Sequence, residues 1–371
     1  MLELPPLTLY IHYPWCVKKC PYCDFNSHEK SSSKGYIEAL LKDLDQDLDY
    51  IQNRKIHSIF IGGGTPSLIT EQDLSNLFTE LKQRLSFEDN IEITLETNPG
   101  VFEVEKFKAF KDIGVNRLSI GVQSFNDQHL KSLGRIHNAQ EASKACSEAA
   151  KLFNNFNIDL MYGLEGQTVG DCLIDINKAI DLKPNHISFY QLTIEPNTLF
   201  AKFPPSLPKD EDIWQMGEQG VLLLEQYGFN RYEVSAFGKT PSKHNLNYWQ
   251  FGDYIGIGAG AHGKITQINN KQNLSVIRTL KPKSPVGYIR NCEKNVYVVD
   301  SISFEFMLNA LRLKNGFELE LFSKRVGYSI DAIKDKLDTA VSKGLLVVDK
   351  NNIKPSTKGY DFLNDLQSNF L

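Results

Sequence analysis

The sequence predicts an α/β fold: a partial (β/α)6 barrel, followed by a small winged-helix-like module at the C-terminal end. Three observations predict it. Strand-like and helix-like segments alternate between residues 7 and 192, the pattern of βα units around a parallel sheet. The residues best suited to chemistry fall where those strands end, which is where βα loops converge in barrels. After Pro282 the pattern changes to three short helices and a hairpin, the make-up of a winged helix. Periodicity does not count closing strands, so a closed eight-unit barrel is the alternative.

Taken in order, the candidate strands are 7–13, 58–62, 91–96, 117–122, 157–162 and 186–192, each rich in apolar residues and of strand length. Between them, Tyr36, Leu40, Leu41, Leu44, Leu48 and Ile51 recur at helical spacing, as does the alanine face Ala142, Ala145, Ala149 and Ala150. Residues 199–210, rich in proline and lysine, read as a loop leaving the barrel. In the last part, helices are expected at 304–313, 319–326 and 330–341, then a strand at 345–348, a turn at 349–352 and a second strand at Ile353. The division that follows is 1–200 for the barrel core, 201–281 for an extension of it and 282–371 for the module.

A chain of 371 residues with 41% hydrophobic content can bury one large core and a small second domain. Its net charge of −4 offers no basic field for nucleic acid. Asp331, Asp335 and Asp338 on the expected reading helix of the module argue the same way, because phosphate binding needs a basic surface. The module reads instead as a lid or a docking surface for a partner. Neither a basic n-region nor a run of 18 apolar residues occurs, so a signal peptide and a membrane span are not expected.

Cys16, Cys20 and Cys23, spaced C-x3-C-x2-C, sit directly behind the first strand, and Pro14 and Pro21 suit an irregular loop there. Three thiolates can hold a [4Fe–4S] cluster and leave its fourth iron free for a small molecule. The alternative is zinc, since Cys20-x2-Cys23-x4-His28 resembles the start of a zinc knuckle. A fourth knuckle ligand would fall near Ser33, which is no ligand. Cys146, Cys172 and Cys292 are scattered and read as small buried residues. A cluster-bearing chain without a disulfide pattern is expected in a reducing cytoplasm.

The run Tyr10-Ile11-His12-Tyr13-Pro14-Trp15-Cys16 through Cys23-Asp24-Phe25-Asn26, with Gly62-Gly63-Gly64-Thr65-Pro66-Ser67 after it, resembles radical S-adenosylmethionine (SAM) proteins of the HemN/HemW group. The resemblance spans most of the chain. It implies that the open iron binds SAM and that an electron from the cluster cleaves the sulfonium to give a 5′-deoxyadenosyl radical. It also implies SAM contacts from Gly63, Gly64 and Thr65, where glycine lets the backbone approach a ligand closely. Alone, that run would equally be a turn. Glu96, ending the third strand, is placed by the resemblance at SAM hydroxyl or amino groups; alone, it would equally cap the next helix. Gln123, Arg135 and Asp159 match further SAM positions, some of them for a second SAM. Tyr10 and Tyr22 offer aromatic faces to a sulfonium or adenine, although Tyr10 would equally suit the core.

Two departures separate the branches of the group. Oxygen-independent coproporphyrinogen III oxidases carry a further cysteine two positions after the third ligand and a longer N-terminal extension. Here that position is Phe25, and Cys16 lies close to the start of the sequence. His244-Asn245-Leu246-Asn247-Tyr248-Trp249 fits the HNxxYW pattern of the HemW branch of heme chaperones. Histidine can ligate heme iron, and Tyr248 and Trp249 offer flat faces to the macrocycle. His262 is a rival ligand; His12 and His28 lie near the cluster.

The expected function is therefore a heme chaperone. It carries a [4Fe–4S] cluster and SAM and delivers heme to apoproteins, among them membrane enzymes of the respiratory chain. The alternative is a decarboxylating coproporphyrinogen III oxidase, and a third class is a zinc-stabilised regulatory protein. The radical SAM fold does not itself make the chain an oxidase, and the sequence leaves a homodimer open.

Overall fold

Six parallel strands in chain order form the centre of the protein: β1 (Leu7–Tyr13), β2 (Ile56–Gly63), β3 (Phe87–Thr97), β4 (Arg117–Gln123), β5 (Phe156–Tyr162) and β6 (His186–Gln191). The computed structural model describes residues 3–29, 33–269 and 273–371. Leu7, Leu9, Ile11, Ile59 and Ile61 in the first two strands are completely buried. Parallel strands covered on both faces need such near-continuous apolar runs, which is why the sequence revealed them.

The sheet runs linearly through twelve strands. Beyond β6 lie two short antiparallel strands, β7 (Asn230–Arg231) and β8 (Ala236–Gly238). On the other side β1 pairs in parallel with β9 (Asp253–Ile257). Antiparallel β10 (His262–Ile268), β11 (Leu274–Leu280) and β12 (Asn295–Val298) follow. The partial (β/α)6 barrel is the fold, and the closed eight-unit alternative is overturned because the sheet stays open, with antiparallel β8 next to β6 and, on the other side, one further parallel strand, β9, followed by antiparallel ones.

Helices α1 (Tyr36–Asp45), α2 (Glu71–Arg84), α3 (Val101–Ile113), α4 (Ala139–Leu152) and α5 (Val169–Asp181) connect the parallel strands. Asn138 and Glu141 close a capping box at the start of α4, and Thr168 and Asp171 close one at the start of α5. In α4 the buried face is Ala142, Ala145, Cys146 and Ala149, at i, i+3, i+4 and i+7; Ala150 points outward. The first helical pattern also breaks: α1 ends at Asp45, and Leu48–Ile51 is a separate 3-10 turn.

Residues 199–210 do not leave the barrel as a plain loop. A short helix, Leu199–Lys202, turns back, and the Phe200 amide donates to the Pro21 carbonyl at 3.0 Å. Phe200, Leu133, Met161, Leu164 and Leu192 form a small apolar cluster with Tyr22 against it, so this segment braces the cysteine loop. Helix α6 (Asp210–Gln226) follows, and α7 (Lys243–Trp249) carries the HNxxYW sequence.

The C-terminal module packs around Phe306, Phe317 and Phe322, whose rings meet edge to face at 4.9 and 5.2 Å. Its helices are α8 (Ile302–Ala310), α9 (Leu319–Val326) and α10 (Lys334–Ser342). The expected third helix is split, because a 3-10 turn at Ile330–Ile333, capped by Ser329, precedes α10. Its sheet has three strands, β13 (Phe317–Glu318), β14 (Leu346–Asp349) and β15 (Asn352–Pro355). Residues just past 282 stay with the barrel sheet, since β12 pairs with β11, and the module's own core begins at Val299. Arg278 of β11 pairs with Glu305 of α8, and Arg312 lies over the Trp249 ring at 4.3 Å. The module thus rests on α7. No helix among the described residues is long and apolar enough to cross a membrane.

Candidate functional site

The strand β1 ends at Tyr13, and the chain then folds into an irregular loop held at both sides. The His28 amide donates to the Pro14 carbonyl at 2.7 Å, and Trp15–Cys16 bridges to His28–Glu29. The end of β2 presses on the same loop: the Gly64 and Thr65 amides donate to the Tyr13 and Trp15 carbonyls at 2.7 and 2.8 Å. Such an approach requires glycine. A Cβ on Gly64 would lie 2.6 Å from the Trp15 carbonyl oxygen, and one on Gly63, where φ is +118°, would lie 2.6 Å from the His12 ring. The glycine run is therefore the brace of the cysteine loop as well as a wall of the cavity beside it.

The residues singled out in the sequence for cluster and SAM, together with His244, Tyr248 and Trp249, line one cavity of about 590 Å³ at the C-terminal ends of the strands and down the barrel interior, whereas the rival histidines His12, His28 and His262 do not. Cys16, Cys20 and Cys23 are free thiols, Cys16 buried and the other two half-buried. Burial raises the Cys16 thiol pKa, partly offset by the Thr65 and Ser27 hydroxyls. Among the described residues, no group of three or more His, Cys, Asp or Glu side chains converges as a single metal ion requires. A tetrahedral zinc site needs that convergence. A four-iron cluster spreads its thiolates over different irons, and three thiols on one braced loop beside a cavity fit it.

Arg135 ties the loop to the barrel. Its guanidinium donates to the Cys20 sulfur at 3.6 Å, to Asn98 Oδ1 at 2.6 Å and to the Gly121 carbonyl at 2.7 Å, and its buried Nε has no partner among the described residues. Asn98 in turn donates to Thr65 Oγ1 at 3.1 Å. Asn98 was not singled out in the sequence, although its position just after β3 marks it as a pocket residue. Gln123 adopts φ +70°, in the left-handed region, at the end of β4; its Oε1 accepts from the Tyr190 hydroxyl at 2.8 Å. A non-glycine residue held there marks a constrained site.

Of the carboxylates that line the pocket, Glu96 and Asp159 are those singled out in the sequence. Glu96 accepts the Gly63 amide at 3.0 Å, and burial, with the nearby Asp159 charge, pushes its pKa up to about 8. Burial also raises Asp159, against hydrogen bonds that include Asn157 Nδ2 at 2.7 Å. Because the folded pKa of Glu96 lies above its unfolded value, the folded protein holds the extra proton, and stability falls as pH rises between about 4.5 and 8. Glu96→Gln removes that dependence. In ligand-free protein its melting temperature should gain on the wild type as pH is raised from 6 to 8.5, by up to about 1.4 kcal/mol per pH unit. Parallel melting curves at both ends of that range would show Glu96 to be ionised already.

Deeper in the barrel, His186 donates through Nδ1 to Asn157 Oδ1 at 2.7 Å and accepts from the Tyr232 hydroxyl at 2.9 Å. Arg117, buried at the start of β4, lines the same space. His244 sits at this depth and not beside the thiols. Its Nδ1 bonds the Ser58 hydroxyl at 2.8 Å and its Nε2 bonds the Tyr248 hydroxyl at 3.0 Å; burial lowers its pKa to about 3. As a ligand to iron it would have to give up one of those bonds. The Tyr22 ring lies tilted against Phe200, 6.4 Å between centroids. The Tyr10 hydroxyl donates to His12 Nδ1 at 2.9 Å, and His12 Nε2 donates to the Asn26 carbonyl at 2.9 Å.

Asn26 was also missed. Its side-chain amide donates to the Ala259 and Lys283 carbonyls at 2.8 and 2.9 Å, which joins the cysteine loop to the loop before β10. Beyond that joint lies a second cavity of about 920 Å³, sharing Tyr10, Cys23, Phe25, Tyr248 and Trp249 with the first. His262 opens into it and Phe25, 59% exposed, stands at the shared wall.

Residues 10–178 match the Radical SAM superfamily and residues 300–362 match the HemN C-terminal domain. Across all of the chain and 99% of its own length, the heme chaperone HemW of Haemophilus influenzae is 49% identical. That of Escherichia coli is 45% identical over the whole of both chains, and that of Bacillus subtilis is 33% identical over 91% of this chain and 92% of its own. In fold, the structure is similar to the radical SAM enzyme coproporphyrinogen III oxidase (HemN) of Escherichia coli, with TM-score 0.82 and 20% identity over 99% of this chain and 90% of that one.

Proposed function

The chain belongs to the HemW family within the radical SAM superfamily, and from that premise we propose that it is a cytoplasmic heme chaperone that holds a [4Fe–4S] cluster and SAM and passes heme to acceptor apoproteins, respiratory enzymes among them. Cys16, Cys20 and Cys23 hold three irons of the cluster. Gly63, Gly64 and Thr65 border SAM with backbone, Glu96 and Asp159 offer it carboxylates, and Gln123, Arg135, Tyr10 and Tyr22 complete its surroundings. When bound, cluster and SAM together supply one-electron chemistry at the sulfonium.

The chain's own groups prepare that site. Arg135 donates to the Cys20 sulfur and carries a buried Nε without a partner among the described residues, so it offers a donor to an anionic group. Glu96, poised near 8, can release its proton when a cationic amino group arrives.

The observation that carries the chaperone reading is the pair of adjoining cavities with Phe25 at their common wall. A fourth thiol would be needed at that position to reproduce the oxidase pattern. An exposed phenyl ring there instead widens the apolar surface that a porphyrin face would cover. The test is delivery: protein loaded with heme should transfer it to an apo-hemoprotein, read as the acceptor's own absorption spectrum. Heme that remains on the loaded protein while free heme reconstitutes the same acceptor would overturn the reading.

A further inference from the structure

We propose that heme is seated in the second cavity and that His262, not His244, is its iron ligand; this rests on the heme-chaperone reading above. The histidines around the two cavities divide by what their ring nitrogens already do. His12, His186 and His244 each have both nitrogens hydrogen-bonded. His28 bonds Asn26 Oδ1 at 3.3 Å. For the His262 ring, no hydrogen bond exists among the described residues, and the residue is exposed at the cavity. An imidazole with a free nitrogen facing an open space is what an iron ligand requires.

Its surroundings keep it neutral and therefore able to donate a lone pair: burial, Arg278 and Lys283 all lower its pKa. The position is fixed by backbone. Gly258 and Gly260 take φ +112° and +78° just before β10, and a Cβ on Gly260 would strike Asn26 Nδ2 at 2.5 Å. The same turn that sets His262 at the head of β10 is thus locked to the cysteine loop.

The rest of the cavity suits a flat dianionic macrocycle. Tyr248 and Trp249 from α7, Tyr254 from β9 and Phe25 provide aromatic wall. The Trp249 indole nitrogen is buried without a partner among the described residues, a donor left for an acceptor that a ligand would bring. Lys19, Lys264, Arg278 and Lys283 line the space against the carboxylates Asp24, Glu96 and Glu195, and Lys264 and Arg278 are already paired with Asp253 and Glu305. Lys19 Nζ donates only to the Phe25 and Ser27 carbonyls, both at 3.1 Å, and neither Lys19 nor Lys283 has an ion pair among the described residues. Two ammonium groups without carboxylate partners match two propionates. The HNxxYW sequence then contributes by its aromatic end, while His244 anchors α7 to Ser58.

The experiment is a hemin titration of the full chain with its cluster reconstituted anaerobically, comparing wild type, His262→Ala, His262→Met and His244→Gln, with cluster absorption as the folding control. His262→Ala should bind more weakly by on the order of tenfold or more, at least the loss usual when the surroundings of a metal ligand are altered, and lose the axial-ligand signature of the Soret band. His262→Met should regain tight binding with a shifted spectrum, and His244→Gln should keep the wild-type spectrum. A wild-type spectrum and affinity in His262→Ala would overturn this seat while leaving the chaperone reading intact. A wild type that binds no heme would overturn both.

Discussion

Cys20→Ala is expected to abolish the visible charge-transfer absorption of the reconstituted cluster completely. The reason is stoichiometric. With three thiols on the loop, loss of one leaves two irons without a protein ligand, and no other Cys can replace it, because Cys146, Cys172 and Cys292 are buried elsewhere. Cys20 is a cleaner choice than Cys16, which is 8% exposed and packed in the core, so that its removal would mix folding with ligation. Cys20 is half-buried, and among the described residues its sulfur bonds Arg135 alone, at 3.6 Å. Anaerobic reconstitution followed by absorption and iron content checks the result. Undiminished iron and absorption would remove these thiols as the ligand set and reopen the question of what the loop holds.

Gly64→Ala is expected to have the next largest effect, acting on the same loop without touching a thiol. The added methyl would lie 2.6 Å from the Trp15 carbonyl oxygen and 2.8 Å from the Pro14 carbonyl carbon, all backbone, which cannot rotate aside. Either β2 or the cysteine loop must retreat, and both amide bonds that join them, Gly64 to Tyr13 and Thr65 to Trp15, are stretched. Overpacking of this kind costs about 1–3 kcal/mol, so the ligand-free protein should melt several degrees lower and incorporate less iron. Gly170→Ala, in α5 with nothing nearer than 3.7 Å, is the control and should fold and load like wild type. Normal melting and normal loading in Gly64→Ala would mean that the glycine run serves as a turn alone.

The parallel strands were legible because a strand covered on both faces has to be apolar throughout, and helices such as α9 were legible because their buried positions recur at helical spacing. The flanking strands were not. β10 carries Lys264 in its middle, buried with Asp253 at 2.8 Å, and a buried ion pair breaks the apolar alternation by which strands are read. β12 is exposed along its whole length, and β7 is two residues long. The cysteine motif stood out by its spacing, whereas the glycine run and the carboxylates stood out through the family resemblance, since each alone reads equally as ordinary structure. Asn26 and Asn98 did not, since they act by bridging segments far apart in sequence: Asn26 reaches the carbonyl of Ala259, and Asn98 holds Thr65 and Arg135 together. His244 is a different case: its motif made it stand out, and in the structure both ring nitrogens are hydrogen-bonded, to Ser58 and Tyr248.

The central claim is that this barrel keeps a radical SAM site beside a seat for heme and uses the heme as cargo. The measurement that tests it most directly is made on one anaerobically reconstituted preparation: titrate heme by optical absorption, then assay coproporphyrinogen III decarboxylation with SAM and a reductant. Saturable heme binding at one equivalent with no decarboxylation is the result the structure leads us to expect. Decarboxylation with weak or absent heme binding would contradict it, and would mean that Phe25 in place of a fourth cysteine does not separate chaperone from oxidase.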